Sequence, residues 1–233
     1  MSKKTIILDK TNTIKFLKKS LENENLELEC VFDSRNINKI VFLRILDSLK
    51  SINDFVFEDS SLDIKIQDGY QRFSDIRITI NGLENIKKYC KTDSLEDIDD
   101  IIYLKKEFYK ETNEIGTDIV YRINNDDYNY RLNVKSEIEL SKENPIVEQT
   151  LTDFKSKIKH YRYKKRYSFI SYDKLFRFDI TVVKMSDKHS RARTFKDANI
   201  LQKSEIYEIE IEYIGSKTSD DGTKQIEQLF KDL

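Results

Sequence analysis

The sequence predicts an α+β domain, mainly β, whose antiparallel strands form a barrel or a sandwich. Three observations carry that class. Apolar and polar residues alternate with period two over most of the chain, short polar turns separate the alternating segments, and one face of several segments is ionic while the other is aliphatic or aromatic.

Helical periodicity is confined to a few segments. Residues 11–23 carry Ile14, Phe16, Leu17 and Leu21, and residues 36–51 carry Ile37, Ile40, Val41, Ile45, Leu46 and Leu49 near the 3.6-residue period. Shorter helices are expected at 83–90 and 224–232. Strands are expected at 26–32, 63–67, 75–80, 101–110, 118–124, 130–140, 157–171, 176–184 and 205–214. The Asp173-Lys174 step between two of the longest suggests a tight hairpin. No linker rich in Pro, Gly or Ser and no internal repeat divides the chain, so residues 1–233 are expected to form one domain.

Composition narrows the functional classes. Charged residues make up 36%, yet 13 Phe and 13 Tyr argue against a disordered chain. The 42 Asp+Glu nearly cancel 41 Lys+Arg, so no overall basic field exists and a phosphate site must gather its cations locally. Cys30 and Cys90 have no paired metal spacing and make no disulfide framework, which fits a reducing compartment. No apolar run is long enough for a signal peptide or a membrane span.

The ionic faces are the informative feature. In 131–140 the odd positions are Arg131, Asn133, Lys135, Glu137 and Glu139, opposite the mainly apolar Leu132, Val134, Ser136, Ile138 and Leu140. Side chains two apart share a face of a strand. The same split groups Arg162, Lys164 and Arg166; Arg177, Asp179 and Thr181; Asp75, Arg77 and Thr79; Glu208, Glu210 and Glu212; and Glu27 with Glu29. An ordinary half-solvated sheet explains any one strand. It explains less well why whole strands are nearly pure in sign, acidic near both chain ends and basic at Arg162 to Arg166. Carboxylates in a row repel, and a hard divalent cation compensates them well. A closed barrel would bring the acidic and basic faces into one interior.

These residues resemble the triphosphate tunnel metalloenzymes, in the branch of metal-dependent RNA triphosphatases from fungal and large-DNA-virus mRNA capping enzymes. Glu27-Leu28-Glu29, Arg162-Tyr163-Lys164-Lys165-Arg166 with Arg177-Phe178-Asp179, and Glu208-Ile209-Glu210-Ile211-Glu212 carry the similarity in order, and giant-virus capping enzymes are similar in domain length. The resemblance implies a closed eight-stranded antiparallel tunnel that removes the γ-phosphate from 5′-triphosphate RNA, using Mg²⁺ or Mn²⁺. Glu27, Glu29, Glu210 and Glu212 would hold the metal, while Glu208 and Thr181 would support the tunnel. Arg162, Lys164 and Arg166 would grip phosphate, Asp179 would orient one of them, and Glu137 would orient the attacking water. Arg77, Arg131 and Lys135 would be further phosphate contacts.

The resemblance also implies that guanylyltransferase and methyltransferase domains could share the polypeptide, and that the location is cytoplasmic, in a host cell or virion if the protein is viral. Two rivals stay open: hydrolysis of inorganic tripolyphosphate or nucleoside triphosphates on the same fold, and a non-catalytic polyanion-binding module. The residues assign no role to Lys87, Lys105, Arg122 or Lys184. His160 and His189 are expected at the surface, Tyr161, Tyr163 and Tyr167 in core packing, and 186–193 in a solvated loop.

Overall fold

The computed structural model describes residues 25–52, 54–67, 72–112, 118–120, 122–125, 129–187 and 189–215. The helices expected at 11–23 and 224–232 lie outside the described residues. The strands are β1 (Leu26–Phe32), β2 (Asp54–Gln67), β3 (Phe73–Asn81), β4 (Ile101–Phe108), β5 (Lys110–Thr112), β6 (Asp118–Val120), β7 (Arg122–Asn125), β8 (Tyr130–Leu140), β9 (Lys159–Ile170), β10 (Phe176–Met185) and β11 (Ile206–Tyr213). The helices are α1 (Lys39–Ile52), α2 (Leu83–Thr92), α3 (Pro145–Leu151) and α4 (Phe195–Ala198).

Eight strands close a barrel in the order β1-β11-β10-β9-β2-β3-β4-β8, with β8 pairing back onto β1. All these pairings are antiparallel, as expected for the closed tunnel. The long β8 has neighbours on both sides. It pairs with β1 through Tyr130 to Ser136, while its other edge pairs first with β7 and then with β4.

The apolar faces of these strands point out of the barrel. Leu62, Ile64, Ile66, Ile76, Ile78 and Ile80, from β2 and β3, cluster with Tyr161 and are capped by Ile86 and Tyr89 of α2 and Val147 of α3. Phe42, Leu46 and Leu49 recur at helical spacing on α1 and pack on Phe169, Ile180 and Ile209 of β9, β10 and β11. A third cluster joins Leu26, Leu28, Ile123, Val134 and Tyr213 outside β1, β7 and β8. Burying each such side chain contributes roughly 1.5 to 3 kcal/mol. The core therefore lies between the barrel wall and its helices, which leaves the interior to the polar faces.

Several boundaries differ from the sequence expectation for identifiable reasons. The segment expected at 36–51 begins as a 3₁₀ turn at Ser34–Asn36, and α1 starts after Asn38, whose side chain accepts from the N–H groups of Ile40 and Val41 at 2.9 and 3.0 Å. Strand β2 extends back to Asp54, beyond the expected 63–67, because Asp59 and Ser61 belong to the polar face of a strand and do not form a turn. The segment 101–110 divides into β4 and β5, and 118–124 into β6 and β7. Helix α3 was not anticipated; Asn144 caps it and Pro145 supplies its first residue, where no N–H is needed.

The expected tight hairpin at Asp173-Lys174 is a longer loop over residues 171–175. Ser171 N donates to Phe176 O at 2.9 Å, and Lys174 takes φ 60°. Gly82 supplies φ 82° at the turn into α2 while its N–H donates to Ser60 O at 2.9 Å, a backbone conformation a β-carbon would strain. The 186–193 segment is also less solvated than expected. Ser186 and Ala192 are buried, and Ser186 Oγ accepts from Tyr161 N at 3.0 Å. His160 is half-buried beside Ser186 O at 3.0 Å, while His189 is exposed as expected. Cys30 and Cys90 are free thiols. No helix of the described residues is long and apolar enough to cross a membrane.

Lys159 ties two outer loops to the barrel. It is fully buried, and its Nζ donates to the carbonyls of Arg193 at 2.6 Å and Lys157 at 3.1 Å while lying 4.5 Å from the centre of the Phe154 ring. Burial pushes its pKa down to about 8 from an ordinary 10.5, with Asp93 opposing. Between these values the unfolded chain binds the extra proton, so Lys159 makes stability rise with pH from about 8 toward 10.5. Thermal unfolding of Lys159→Met across that range should show a shallower rise than wild type. An unchanged slope would mean that Lys159 is not desolvated in solution.

Candidate active site

The polar strand faces enclose a cavity of about 290 Å³, many times the space one water needs. Register explains how distant segments meet there. Glu29 of β1 stands opposite Glu212 of β11 on one side and Asn133 of β8 on the other, and Arg177 and Asp179 of β10 stand opposite Glu212 and Glu210. Arg162, Lys164 and Arg166 of β9 face Asp63, Ser61 and Asp59 of β2.

Of the residues expected in the site, Glu27, Glu29, Arg77, Lys135, Glu137, Arg162, Lys164, Arg166, Asp179, Glu210 and Glu212 all line this cavity. Thr181 is buried in register with Arg166 and Glu208. Glu208 pairs with Arg162 and lines an adjoining hollow. Arg131 is not inside the tunnel. It is exposed at the rim of that hollow beside Arg122, because it lies near the start of β8.

Three residues of the charge network were given no role from the sequence, although Arg177 was placed on the ionic face of its strand. Lys106 of β4 reaches Glu137 at 2.6 Å, Glu27 at 2.7 Å and Glu29 at 3.6 Å. Asp63 is only 3% exposed and accepts from Lys164 at 2.9 Å and Thr79 Oγ1 at 3.0 Å. Arg177 pairs with Glu212 and lies 3.2 Å from Asp179, which also accepts from Ser168 Oγ at 2.6 Å and lies 3.4 Å from Arg166. Strict parity along β2 would have found Asp63. Lys106 gave no such signal, since Ile102 and Leu104 precede it on the same face of β4. Lys87, Lys105 and Lys184 serve elsewhere, with Glu84, Glu107 and the carbonyl of Leu201.

The electrostatics are close to balance without reaching it. Burial pushes Glu27 up to about 7 despite Lys106, and raises Glu208 and Glu212 against the pull of Arg162 and Arg177. Burial also pushes Lys164 down to about 8, with Asp63 opposing. Glu137 is held below the usual carboxylate range, because Lys106 and Arg77 (3.2 Å away) outweigh its burial. Among the described residues three buried side-chain atoms, Asp63 Oδ2, Arg77 Nε and Asn133 Oδ1, have no hydrogen-bond partner. Arg77 lines this cavity and Asn133 the adjoining hollow, and native interiors rarely leave such atoms unpaired, which points to a polar ligand.

The acidic wall of β1 and β11 has the donor chemistry of a hard divalent cation: carboxylate oxygens gathered from adjoining strands around one cavity. Among the described residues, however, no three side chains form a ready metal-binding group. Lys106 stands between Glu27 and Glu29, Lys135 pairs with Glu29, and Arg177 pairs with Glu212. The donor set fits such an ion in kind, provided these cations give way.

No protein-family model and no curated protein sequence matches the chain. Solved structures do. The RNA triphosphatase domain of a trifunctional mimivirus mRNA capping enzyme is 24% identical with a TM-score of 0.64, over 96% of both chains. A triclinic structure of mimivirus capping enzyme triphosphatase is 24% identical with a TM-score of 0.65, over 97% of this chain and 96% of that one. A monoclinic structure is 25% identical with a TM-score of 0.62, over 96% and 97%. This likeness, with the closed eight-stranded barrel, shows that the chain has the triphosphate tunnel fold of those domains.

The Asp63–Lys164 pair is the most deeply buried ion pair of the tunnel. Asp63→Asn should leave a desolvated ammonium without its counter-charge and destabilise the fold by about 3 kcal/mol or more. Denaturant unfolding would measure this. A loss below ~1 kcal/mol would mean that Lys164 finds water or another carboxylate.

Proposed function

We propose that this chain hydrolyses the outer phosphoanhydride of triphosphate-ended RNA, releasing orthophosphate and leaving a 5′-diphosphate. The observation that carries the reading is the sealed tunnel in which Arg162, Lys164, Arg166, Arg77 and Lys106 face buried carboxylates across one cavity. A phosphoryl group in transfer is highly anionic, so the reaction needs positioning and charge stabilisation more than a covalent nucleophile. Fixed guanidinium and ammonium groups in a desolvated site provide both, and arginine does so through a planar fork.

Arg162, Lys164 and Arg166 stand on one face of β9, so they can contact successive phosphate groups along the tunnel. Asp179 steers Arg166 and Arg177, and Asp63 holds Lys164 in place. Glu137 remains a carboxylate between Lys106 and Arg77, suited to align a water and accept its proton. Glu27, Glu29, Glu210 and Glu212 would hold Mg²⁺ or Mn²⁺. That ion would supply Lewis-acid stabilisation of phosphate charge. Similarity to the RNA triphosphatase domain of a mimivirus mRNA capping enzyme supports RNA as the substrate.

Release of γ-phosphate from 5′-triphosphate RNA, ATP and tripolyphosphate should be measured with Mg²⁺, with Mn²⁺ and with excess EDTA. RNA should be hydrolysed in either metal and spared in EDTA. Glu29→Ala and Glu212→Ala should each lower kcat on the order of 100-fold or more while the protein stays folded by circular dichroism. Full activity in both variants, or turnover undiminished by EDTA, would remove the acidic wall from the mechanism. Tripolyphosphate preferred over RNA would move the substrate to inorganic polyphosphate.

A further inference from the structure

The two ends of the tunnel differ in how their charges are paired, and the difference defines a second binding site. Strand β4 runs from Ile101, beside Asn81 at one end, to Phe108 at the other. The Asn81 end is mixed in sign: Asp59 in the tunnel lining stands opposite Arg166, Asp100 accepts from Asn81 Nδ2 at 2.9 Å, and Asp99 lies 3.7 Å from Lys88. The Phe108 end opens into a hollow of about 190 Å³ lined by Arg122, Arg131, Phe108 and Phe32. Lys135 and Glu210 line both this hollow and the main cavity, so the two adjoin.

Arg122 of β7 stands opposite Asn133 of β8, diagonally across from Arg131, and burial together with Arg131 lowers its pKa. Among the described residues neither guanidinium makes an ion pair with a carboxylate, and Arg122 Nε donates only to Asn124 Oδ1 at 3.0 Å. The nearby carboxylates are committed or set back: Asp33 feels Arg131 but accepts from Arg35 Nε at 3.0 Å, Glu208 pairs with Arg162, and Glu210 belongs to the acidic wall. Two neighbouring guanidiniums with no carboxylate paired to either suit a bridging anion. Phe108 is 43% exposed despite its size, and Phe32 is half-buried. An aromatic ring beside free arginines is the combination that holds single-stranded nucleic acid, through stacking and phosphate contact.

We propose that this mouth is the nucleic-acid entrance, where Arg122 and Arg131 hold the first internucleotide phosphates of a single RNA strand and Phe108 stacks a 5′-terminal base. The inference rests on the triphosphatase reading for the direction of the strand but concerns groups outside the triphosphate itself. It makes the basic mouth the source of preference for a polynucleotide, since inorganic tripolyphosphate ends before reaching it.

The test uses Arg122→Ala, Arg122→Lys and Phe108→Ala, with Asp100→Lys as the opposite-end control. KM and kcat are measured on a 5′-triphosphate oligoribonucleotide and on tripolyphosphate, and equilibrium binding of the same oligonucleotide is followed by fluorescence anisotropy against salt. Arg122→Ala and Phe108→Ala should each raise KM for RNA roughly tenfold with kcat and tripolyphosphate turnover unchanged, and Arg122→Ala should reduce the salt slope by about 1. Arg122→Lys should recover part of the loss. Equal effects on RNA and tripolyphosphate, or RNA binding altered by Asp100→Lys and not by the mouth variants, would overturn the proposal. If wild type hydrolyses nothing, the catalytic reading fails, and loss of RNA binding in Arg122→Ala still decides the entrance.

Discussion

Every charge inside a closed barrel must find its counter-charge within the same barrel. The strands place most of their aliphatic faces outward against α1, α2 and α3, so the described lining of the interior is polar except at Leu104. Taking an ion out of water costs several kcal/mol, and the attraction between paired ions repays that only when geometry is good. The pairs Asp63–Lys164, Asp179–Arg177, Glu137–Arg77 and Glu137–Lys106 are therefore conditions of closure as much as features of a site.

That balance leaves the tunnel able to exchange partners. Glu27 and Lys164 sit with pKa values displaced toward neutrality, which shows each to be only partly compensated by its neighbours. In the proposed reading a polyanion takes over the ammonium and guanidinium groups of β9, and a cation takes over the carboxylates of β1 and β11. Lys106 is the group on which the two exchanges meet. It bridges Glu27 of the acidic wall to Glu137, which in turn contacts Arg77. Withdrawal of Lys106 would free Glu27 and leave Glu137 to Arg77, while Glu29 and Glu212 would still have to be released by Lys135 and Arg177.

Much of this was legible in the sequence because barrel walls obey a period of two. The acidic triplet Glu208, Glu210 and Glu212, the basic triplet Arg162, Lys164 and Arg166, and Glu27 with Glu29 all announced a shared face, and the structure puts most of them around one cavity. Parity failed where a strand is apolar on both faces. Strand β4 begins Ile101-Ile102-Tyr103-Leu104, so Lys106 had no polar neighbours to mark its side. Strand β2 carries exposed Phe55, Val56 and Phe57 ahead of Asp59 and Ser61, which hid its first half and with it the register of Asp63. Arg131 shows a different limit: parity gives a residue's face but not its height, and height put it at the mouth.

Height along the tunnel is set by the seam that closes it. Strand β8 joins β1 through Leu26–Ser136 to Phe32–Tyr130 and reaches β4 only from Lys135 onward. Its first half therefore builds the seam beside the acidic wall and carries Arg131 outward with β7. Its second half carries Glu137 inward to Lys106. An open seam would let water reach Glu27 and Glu29 from the side, and the desolvation that raises Glu27 would disappear. Closure and the electrostatic character of the site are then one property, because the same β8 hydrogen bonds that seal the barrel also keep its carboxylates out of water.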